Sequence, residues 1–262
     1  MKVEVRNGHF SYSREEEILK GISFTLPSAQ ILTILGQNGI GKTTLLKCLL
    51  GILPWQQGQT LIDGEQMNYK KHMRRIGYVP QAYKFVFPYC VEDTVMMGLA
   101  GNIGLFSIPS RKDRQKVHQT LAEVGIAHLR KRLCSQLSGG QLQLVFMARG
   151  LVKDPELMIL DEPESHLDYK NQIRVLKMLE KLAKERGISC IINTHYPEHA
   201  LRISDLTLMQ GRTASGEKTY ICGPTAKIIT EATIRSFFEV ESKIITVEKD
   251  ATTTFKALVV ME

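Results

Sequence analysis

Residues 31–43, with the sequence ILTILGQNGIGKT, decide the fold. The run ILTIL has no polar face and predicts a buried parallel strand. Residues 36–43 fit the pattern G-x-x-x-x-G-K-[ST], in which glycines let successive backbone N–H groups point at phosphate oxygens. A chance match is expected in roughly one of a hundred chains of this size, and here the match also lies between a predicted strand and a predicted helix. We therefore predict a phosphate-binding loop (P-loop), with Lys42 reaching the β- and γ-phosphates of a nucleotide and Thr43 offering its hydroxyl to Mg²⁺.

Other apolar runs outline the rest of the fold. LMIL at 157–160 and ISCII at 188–192 are also short and apolar, and stretches with helical spacing separate the three runs. This order predicts a doubly wound α/β sheet. KVEVR at 2–6 alternates polar and apolar residues as an exposed strand does, and ISFTL at 22–26 does so more weakly.

Residues 82–154 contain no run typical of a buried strand. In 111–129, Val117, Leu121 and Val124 recur at helical spacing, with Leu129 extending the series, which predicts an amphipathic helix. We therefore expect a single domain over 1–262, with an α/β core at 1–81 and 155–220, a helical lobe at 82–154, and an extension at 221–262 packed on the core. Within that region, 225–238 predicts one helix, and 243–249 with 255–261 predict a hairpin.

Composition limits the class of protein. The formal net charge of +7 is spread along the chain, which suits an anionic ligand or membrane surface but not a nucleic acid, because no basic block stands out. The five cysteines are scattered without a C-x-x-C pair, so we expect reduced thiols in a cytosolic protein. No signal peptide and no apolar run of about 18 residues is present, and we expect a chain that neither is secreted nor spans a membrane by itself.

Asp161 and Glu162 directly follow the run LMIL. At the carboxyl end of a buried strand, Asp161 is placed to hold Mg²⁺ through water opposite the P-loop. A free carboxylate beside it can orient and polarise an attacking water, so Glu162 implies hydrolysis and not transfer to an organic acceptor. A solvated Asp-Glu-Pro turn is commoner in general, but the apolar run before it and the P-loop elsewhere favour the catalytic interpretation.

Two further side chains are candidates by position alone. A lone histidine is usually a surface or satisfied core residue, but His195 follows the third predicted strand and lines up with Lys42 and Glu162. Gln81 follows the short strand IGYVP at the entry to the helical lobe and could join the metal or the water. A glutamine in a loop is uninformative without that context.

Taken together, these residues closely resemble the nucleotide-binding subunit of ABC transporters over nearly the whole chain. The resemblance rests on GQNGIGKT, Gln81 in VPQ, LSGGQ at 137–141, LMILDE, the stretch 165–168 and His195. It implies an α/β P-loop NTPase (RecA-like) core with an N-terminal antiparallel β subdomain and an inserted α-helical lobe, and ATP and Mg²⁺ as cofactors. The nucleotide-contacting positions it implies are Tyr12, stacking on adenine, and Gly36, Asn38, Gly39, Gly41, Lys42, Thr43, Thr44, Ser138, Gly139, Gly140, Gln141 and Asp168.

The resemblance also assigns a partner to LSGGQ. In the family, two subunits pack head to tail, and Ser138, Gly139 and Gly140 of one copy contact the γ-phosphate held by the P-loop of the other. A hydroxyl and N–H groups at a helix N-terminus suffice for an anion site. This explains why no base for a serine nucleophile lies near Ser138, and it predicts hydrolysis in a homodimer.

Three segments of the chain are similar to the ATPases of importers of iron-siderophore complexes, haem and cobalamin: MMG, GLFSIPSRKDRQ and NTHYPEHAL. Molybdate and zinc or manganese importers are near relatives of that group. That group implies a transmembrane permease, an indirect link to an extracytoplasmic substrate-binding protein, and a place on the cytoplasmic face of the membrane. Aromatic residues at the lobe entrance form either an ordinary core or a groove for a permease helix; they are Tyr83, Phe85, Phe87 and Tyr89.

Alternative classes of P-loop protein differ in the proteins with which they assemble or in their sequence motifs. A soluble ABC ATPase of iron–sulfur cluster assembly has a similar length and the same motifs. DNA-repair and translation members need a long coiled coil or tandem cassettes, and a P-loop kinase does not explain LSGGQ or His195.

Two residues depart from the family pattern. Glu164 replaces the usual threonine, which predicts an added carboxylate near Glu162 and altered electrostatics around the attacking water. Leu142 replaces a common basic residue, which predicts a weakened surface contact.

Overall fold

The computed structural model describes residues 1–13, 16–81, 88–101, 108–165, 167–213, 216–250 and 253–261. In chain order the elements are β1 Val3–Ser11, β2 Glu17–Leu26, β3 Ile31–Gly36, α1 Lys42–Leu49, β4 Gln57–Ile62, β5 Glu65–Gln66, α2 Tyr69–His72, β6 Ile76–Val79, α3 Val91–Met96, α4 Arg111–Val124, α5 Gly139–Leu151, β7 Leu157–Asp161, α6 Tyr169–Arg186, β8 Ser189–Thr194, α7 Pro197–Ile203, β9 Leu206–Arg212, β10 Lys218–Pro224, α8 Thr225–Ile228, α9 Glu231–Phe238, β11 Ser242–Asp250 and β12 Thr253–Val260.

The central sheet has the strand order β10-β9-β3-β8-β7-β6, parallel except for the β9–β10 pair. Every residue of β3 is buried, as the apolar run predicts, because apolar layers cover both faces of the sheet. The register pairs Leu35 with Thr194 and Asp161 with Asn193. The carboxyl ends of β3, β8 and β7 therefore meet at one edge, which brings the P-loop beside the Asp161–Glu162 pair. The predicted α/β P-loop core is confirmed.

A second sheet with the order β2-β1-β4-β5 is antiparallel throughout. It confirms the expected N-terminal antiparallel β subdomain. In β1, buried Val3 and Val5 alternate with more exposed neighbours, as the polar and apolar alternation predicts. The strand that contains ISFTL begins earlier than expected, at Glu17.

Helices α3, α4 and α5 pack on one another through apolar faces. Helix α4 begins with a capping box between Ser110 and Asp113, and it buries the predicted Val117, Leu121 and Val124. It ends earlier than the 129 expected from periodicity, because Gly125 has a φ of 74° and forms a left-handed cap. Leu129 lies buried in a separate 3₁₀ turn, Ala127–Leu129.

Leu142 in α5 is only 5% exposed and belongs to the apolar core of this helical region. The expectation that its side chain affects a surface contact is therefore wrong. A basic residue here would have to bury or redirect its charge, whereas leucine fills the site with apolar atoms.

The prediction of one helix over 225–238 is also wrong. The segment forms α8 and α9, because Thr230 caps α9: its side chain accepts from the Thr233 amide, and Thr233 Oγ1 accepts from the Thr230 amide. The predicted terminal hairpin is confirmed by the antiparallel β11–β12 pair. Ile244 and Leu258 pack this hairpin against the apolar cluster under α7 and α9.

None of the helices within the described ranges is long and apolar enough to cross a membrane. The cysteines are free thiols, as expected, and burial raises their pKa, to about 11 for Cys222 and about 12 for Cys48 and Cys190.

Candidate functional site

The P-loop at 36–43 curls between β3 and α1 in a conformation that requires glycine. Gly36, Gly39 and Gly41 have φ angles of 154°, 78° and 122°. A Cβ on Gly36 would lie 2.6 Å from the carbonyl oxygen of Gln210, so neither the angle nor the space suits a side chain. Asn38 and Gly39 form the exposed tip of the loop.

Lys42 lies inside this curl. Its Nζ donates to the carbonyl oxygens of Gly36, at 2.7 Å, and Gln37, at 3.1 Å. Burial lowers the pKa of Lys42, and the carboxylates of Glu162, Asp161 and Glu164 oppose that shift. The loop thus holds a poorly solvated ammonium group beside its backbone N–H groups, which is an arrangement suited to phosphate.

Thr43 and Asp161 face each other across the gap between α1 and β7. Thr43 Oγ1 donates to Asp161 Oδ2 at 2.9 Å, and Asn193 Nδ2 donates to Asp161 Oδ1. Asp161 is buried. Within the described part of the chain, no group of three or more His, Cys, Asp and Glu side chains could hold a metal ion alone. Mg²⁺ is usually held by one or two carboxylates together with phosphates and water, so this pair of oxygen ligands fits a magnesium ion brought in with a nucleotide.

Glu162 meets both other predicted catalytic side chains. Its Oε2 accepts from Gln81 Nε2 at 2.8 Å, and its Oε1 lies 3.9 Å from His195 Nδ1. Its backbone has a φ of 48°, and its amide donates to the Asn193 carbonyl at 2.9 Å. A left-handed non-glycine residue costs about 1–3 kcal/mol, and such residues cluster at functional sites. The backbone turn after β7 therefore directs this carboxylate toward the edge of the sheet where the P-loop lies.

Tyr12 follows β1 and presents an open aromatic face. Its hydroxyl lies 3.2 Å from Thr44 Oγ1, and its ring meets Phe10 edge to face. The residue is nevertheless 63% exposed. These contacts hold the ring near the start of α1 while leaving area for a planar ligand to stack.

Replacing Tyr12 by Ala is expected to weaken ATP binding at least about fivefold, because base–aromatic stacking contributes about 1–3 kcal/mol per base and each 1.4 kcal/mol is tenfold in affinity. Tripolyphosphate, which has no base, should bind with nearly unchanged affinity. Titration calorimetry with both ligands measures the difference. Equal losses for the two ligands would show that Tyr12 supports the loop and does not stack on adenine.

Ser138 starts helix α5 and forms a capping box with Gln141. Its Oγ accepts from the Gln141 amide at 3.3 Å, and Gln141 Oε1 accepts from the Ser138 amide at 3.2 Å. The Ser138 hydroxyl still has its own proton to donate, and Ser138 and Gly139 are exposed. The N–H groups of Gly139 and Gly140 belong to the first helical turn, where the helix supplies no acceptor. This helix end can therefore donate several hydrogen bonds to an anion outside the chain.

Asp168 is the N-cap of α6: its Oδ1 accepts from the Asn171 amide at 2.8 Å, and its Oδ2 accepts from Asn171 Nδ2 at 3.1 Å. Within the described residues, the side chain of Ser138 accepts from Gln141 and the side chain of Asp168 accepts from Asn171. The structure brings the P-loop, Asp161, Glu162, Gln81 and His195 together. The Ser165 amide donates to the Glu162 carbonyl at 3.0 Å, whereas no hydrogen bond among the described residues joins the side chains of Ser138 or Asp168 to the P-loop. His166, Tyr83, Phe85 and Phe87 lie outside the described residues.

Glu164 lies two residues after Glu162, and its carboxylate is buried. It is 1% exposed, and its Oε1 accepts from Thr194 Oγ1 and lies 3.7 Å from His199 Nδ1. The expected carboxylate near Glu162 is therefore present, and its charge opposes the fall in the Lys42 pKa. Its effect on the attacking water stays a prediction. Sequence reasoning also missed Asn193, Thr194 and His199; the segment NTHYPEH carries all three, but only His195 in it was singled out.

A mostly parallel sheet with a P-loop after one strand and a carboxylate pair after another defines the class of P-loop nucleotide hydrolases. Comparison with known proteins narrows the class. The family model described as "ABC transporter" matches residues 19–165. An uncharacterized ABC transporter ATP-binding protein of Haemophilus influenzae is 41% identical over 212 residues, 78% of each chain. The chain therefore belongs to the ABC transporter family and is an ATP-binding ATPase of it, as its motifs predicted.

Other relatives differ in the cargo that their names give. The molybdate import ATP-binding protein MolC of H. influenzae is 35% identical over 90% of this chain and 87% of its own length. A "Probable iron chelatin transport ATP-binding protein" of Helicobacter pylori is 37% identical over 80% of this chain and 83% of its own.

Two solved structures are similar over most of their lengths. An inward-facing conformation of a "metal-chelate type ABC transporter" has a TM-score of 0.87 at 33% identity, over 99% of this chain and 97% of that one. CbiO1 of Clostridium perfringens, part of the ABC transporter complex cbiONQ, has a TM-score of 0.74 at 29% identity, over 88% and 92% of the two chains.

Proposed function

We propose that this ATPase energises uptake of a metal chelate, of the iron-siderophore, haem or cobalamin type, through a separate permease. The observation that carries the proposal is the likeness to a transporter described as metal-chelate type over 99% of this chain. That likeness extends beyond the nucleotide-binding residues, which all ABC ATPases need. The iron chelatin relative supports the same class of cargo.

Molybdate is the second candidate cargo. MolC covers 90% of this chain at an identity similar to that of the iron chelatin relative. Because the ATPase of an importer need not touch the cargo, oxyanion, free-metal and chelate importers have similar ATPases.

The geometry supports separate roles for these residues in ATP hydrolysis. Lys42 and the P-loop N–H groups bind the phosphates, while Thr43, Asp161 and Gln81 would hold Mg²⁺, which would supply positive charge to the phosphates. Glu162 accepts the proton of the attacking water. The amide of Gln81 and the imidazole of His195 flank its two carboxylate oxygens, and so orient them.

A second copy of the chain completes the site. Ser138 caps a 13-residue helix that begins with Gly139 and Gly140, whose N–H groups have no acceptor within the helix. The positive end of a helix of that length favours the γ-phosphate held by the P-loop of the other copy. ATP is then bound between two head-to-tail copies, with Gln141 and Asp168 near the interface.

The permease is the partner that places the dimer on the cytoplasmic face of the membrane, and an extracytoplasmic binding protein acts through that permease. The cbiONQ complex, to which a structural relative belongs, supports assembly with other subunits. Tyr89 at the entrance to the helical region is 42% exposed, and part of its side chain therefore lies at the surface where a permease helix would dock.

Uptake by reconstituted vesicles tests the cargo. The ATPase is purified with the permease encoded beside it, and uptake of a ferric siderophore, haem, cobalamin, molybdate, zinc and manganese is compared in the presence of the matching binding protein. We expect ATP-dependent uptake of one chelate and none with Glu162→Gln. Uptake of molybdate or a free metal ion instead would replace the proposed cargo. A chain that never copurifies with a membrane protein would favour a soluble assembly ATPase.

A further inference from the structure

Glu164 and His199 form a buried polar pair behind the proposed catalytic carboxylate. Glu164 is 1% exposed and its Oε1 lies 3.7 Å from His199 Nδ1, on a ring that is itself buried. Isolated charges are rarely buried without a partner, because leaving water costs several kcal/mol. The pair therefore requires an explanation beyond filling space.

Glu164 also contacts the strand that leads to His195. Its Oε1 accepts from Thr194 Oγ1, and the same hydroxyl accepts from the Tyr196 amide at 3.1 Å. One carboxylate thus bonds to a hydroxyl that shapes the backbone on both sides of His195. This links the turn after β7 to the junction between β8 and α7.

The aromatic rings that follow β8 connect the Glu164–His199 pair to the Glu162–His195 pair. The Tyr196 ring lies between the rings of His195, at 4.0 Å, and His199, at 4.9 Å between centroids. His199 faces Glu164 at one end of this row, and His195 faces Glu162 at the other. Glu162 and Glu164 are separated only by Pro163, whose ring fixes its own φ. Movement of the Glu164 carboxylate would therefore be transmitted to both members of the Glu162–His195 pair.

We propose that Glu164 is a positioning residue for ATP hydrolysis, which acts through Thr194 and His199 to hold His195 toward Glu162. The inference rests on the roles proposed above for Glu162 and His195. Glu164 itself does not touch the nucleotide. Its two neighbours restrict where the imidazole lies, and misplacement of a catalytic group by about 1 Å can cost up to about a hundredfold in rate.

The test compares kcat and KM for ATP, together with the melting temperature, in the full-length chain. We expect Glu164→Gln, Thr194→Val and His199→Leu each to lower kcat about tenfold while KM changes little. In a His195→Ala background, Glu164→Gln should add little further loss, because residues that act through one another are not additive.

Thr207→Val is the matched control. Thr207 is a fully buried threonine on β9, two strands from β8 in the same sheet, and its Oγ1 lies 3.0 Å from Thr225 Oγ1. Its replacement removes a buried hydroxyl contact from the same sheet, away from the proposed site, so it should lower the melting temperature and leave kcat unchanged.

The outcomes separate the possible explanations. If Glu164→Gln melts earlier but hydrolyses ATP at the normal rate, as expected for Thr207→Val, Glu164 is merely structural and the inference is overturned. Should Glu164→Gln fail to fold, Thr194→Val and His199→Leu decide in its place, by the same criterion. Normal hydrolysis by Glu162→Gln would instead overturn the proposed role of Glu162 itself.

Discussion

Glu162→Gln is expected to lower kcat for ATP hydrolysis by about two to four orders of magnitude, with nearly unchanged affinity for ATP. The amide keeps the size of the side chain and one oxygen for the Gln81 hydrogen bond, but it cannot accept a proton from water. Because the phosphate-binding groups are untouched, ATP should accumulate in the site and hold two copies together. Phosphate release measures turnover, and light scattering with ATP measures the dimer.

Glu156→Gln serves as the control for this substitution. Glu156 lies just before β7, at the opposite end of the strand, where its carboxylate accepts two hydrogen bonds from Arg75. Removing its charge perturbs the same strand far from the P-loop, so kcat should stay within about twofold of the original, as is usual for distant sites. Undiminished turnover in Glu162→Gln would remove Glu162 from the role of general base.

Lys42→Ala is expected to weaken ATP binding about tenfold to a hundredfold. Hydrogen bonds to charged groups contribute about 1.5–3 kcal/mol, and each 1.4 kcal/mol is tenfold in affinity. The backbone N–H groups of the loop would remain in this variant, but no ammonium group would contact the β- and γ-phosphates. A fluorescent ATP analogue titrated at low protein concentration measures binding to the single chain.

Ser138→Ala distinguishes the two proposed half-sites in the same assay. It should leave binding to the single chain intact and lower hydrolysis, since Ser138 meets the phosphate only when a second copy is present. Lys47→Ala is the control for Lys42→Ala, because it also removes a positive charge from α1, but at the other end of the helix. An equal loss of single-chain binding in Lys42→Ala and Ser138→Ala would contradict the two-half-site arrangement.

The main parts of the site could be predicted because they follow strands that their own composition identifies. Asp161 and Glu162 come directly after a buried apolar run, and parallel strands end at a common edge, so their place beside the P-loop needed no knowledge of distant contacts. The same holds for His195 after β8. In each case a local pattern and the topology of the sheet together are sufficient.

Side-chain direction beyond the strand ends could not be predicted in this way. Glu164 lies in a turn, where alternation no longer applies, and its burial depends on Thr194 and His199 from another part of the chain. The expectation for Leu142 came from the basic residue of the family pattern, whereas Leu142 occupies a helix that is buried on nearly every side. The break between α8 and α9 similarly depends on the capping hydrogen bonds of Thr230, which apolar spacing does not reveal.

The hydrogen bonds of Lys42 to Gly36 and Gln37 have a consequence for how fast and how tightly ATP binds. A lysine side chain that is free in solution loses up to about 2 kcal/mol of rotamer entropy when it is ordered. Here two carbonyl oxygens already order it, so most of that loss occurs during folding. The incoming phosphate has only to replace one hydrogen-bond acceptor with a stronger, charged one. Nucleotide capture by this loop is therefore an exchange of acceptors in a preorganised site and not the immobilisation of a flexible chain.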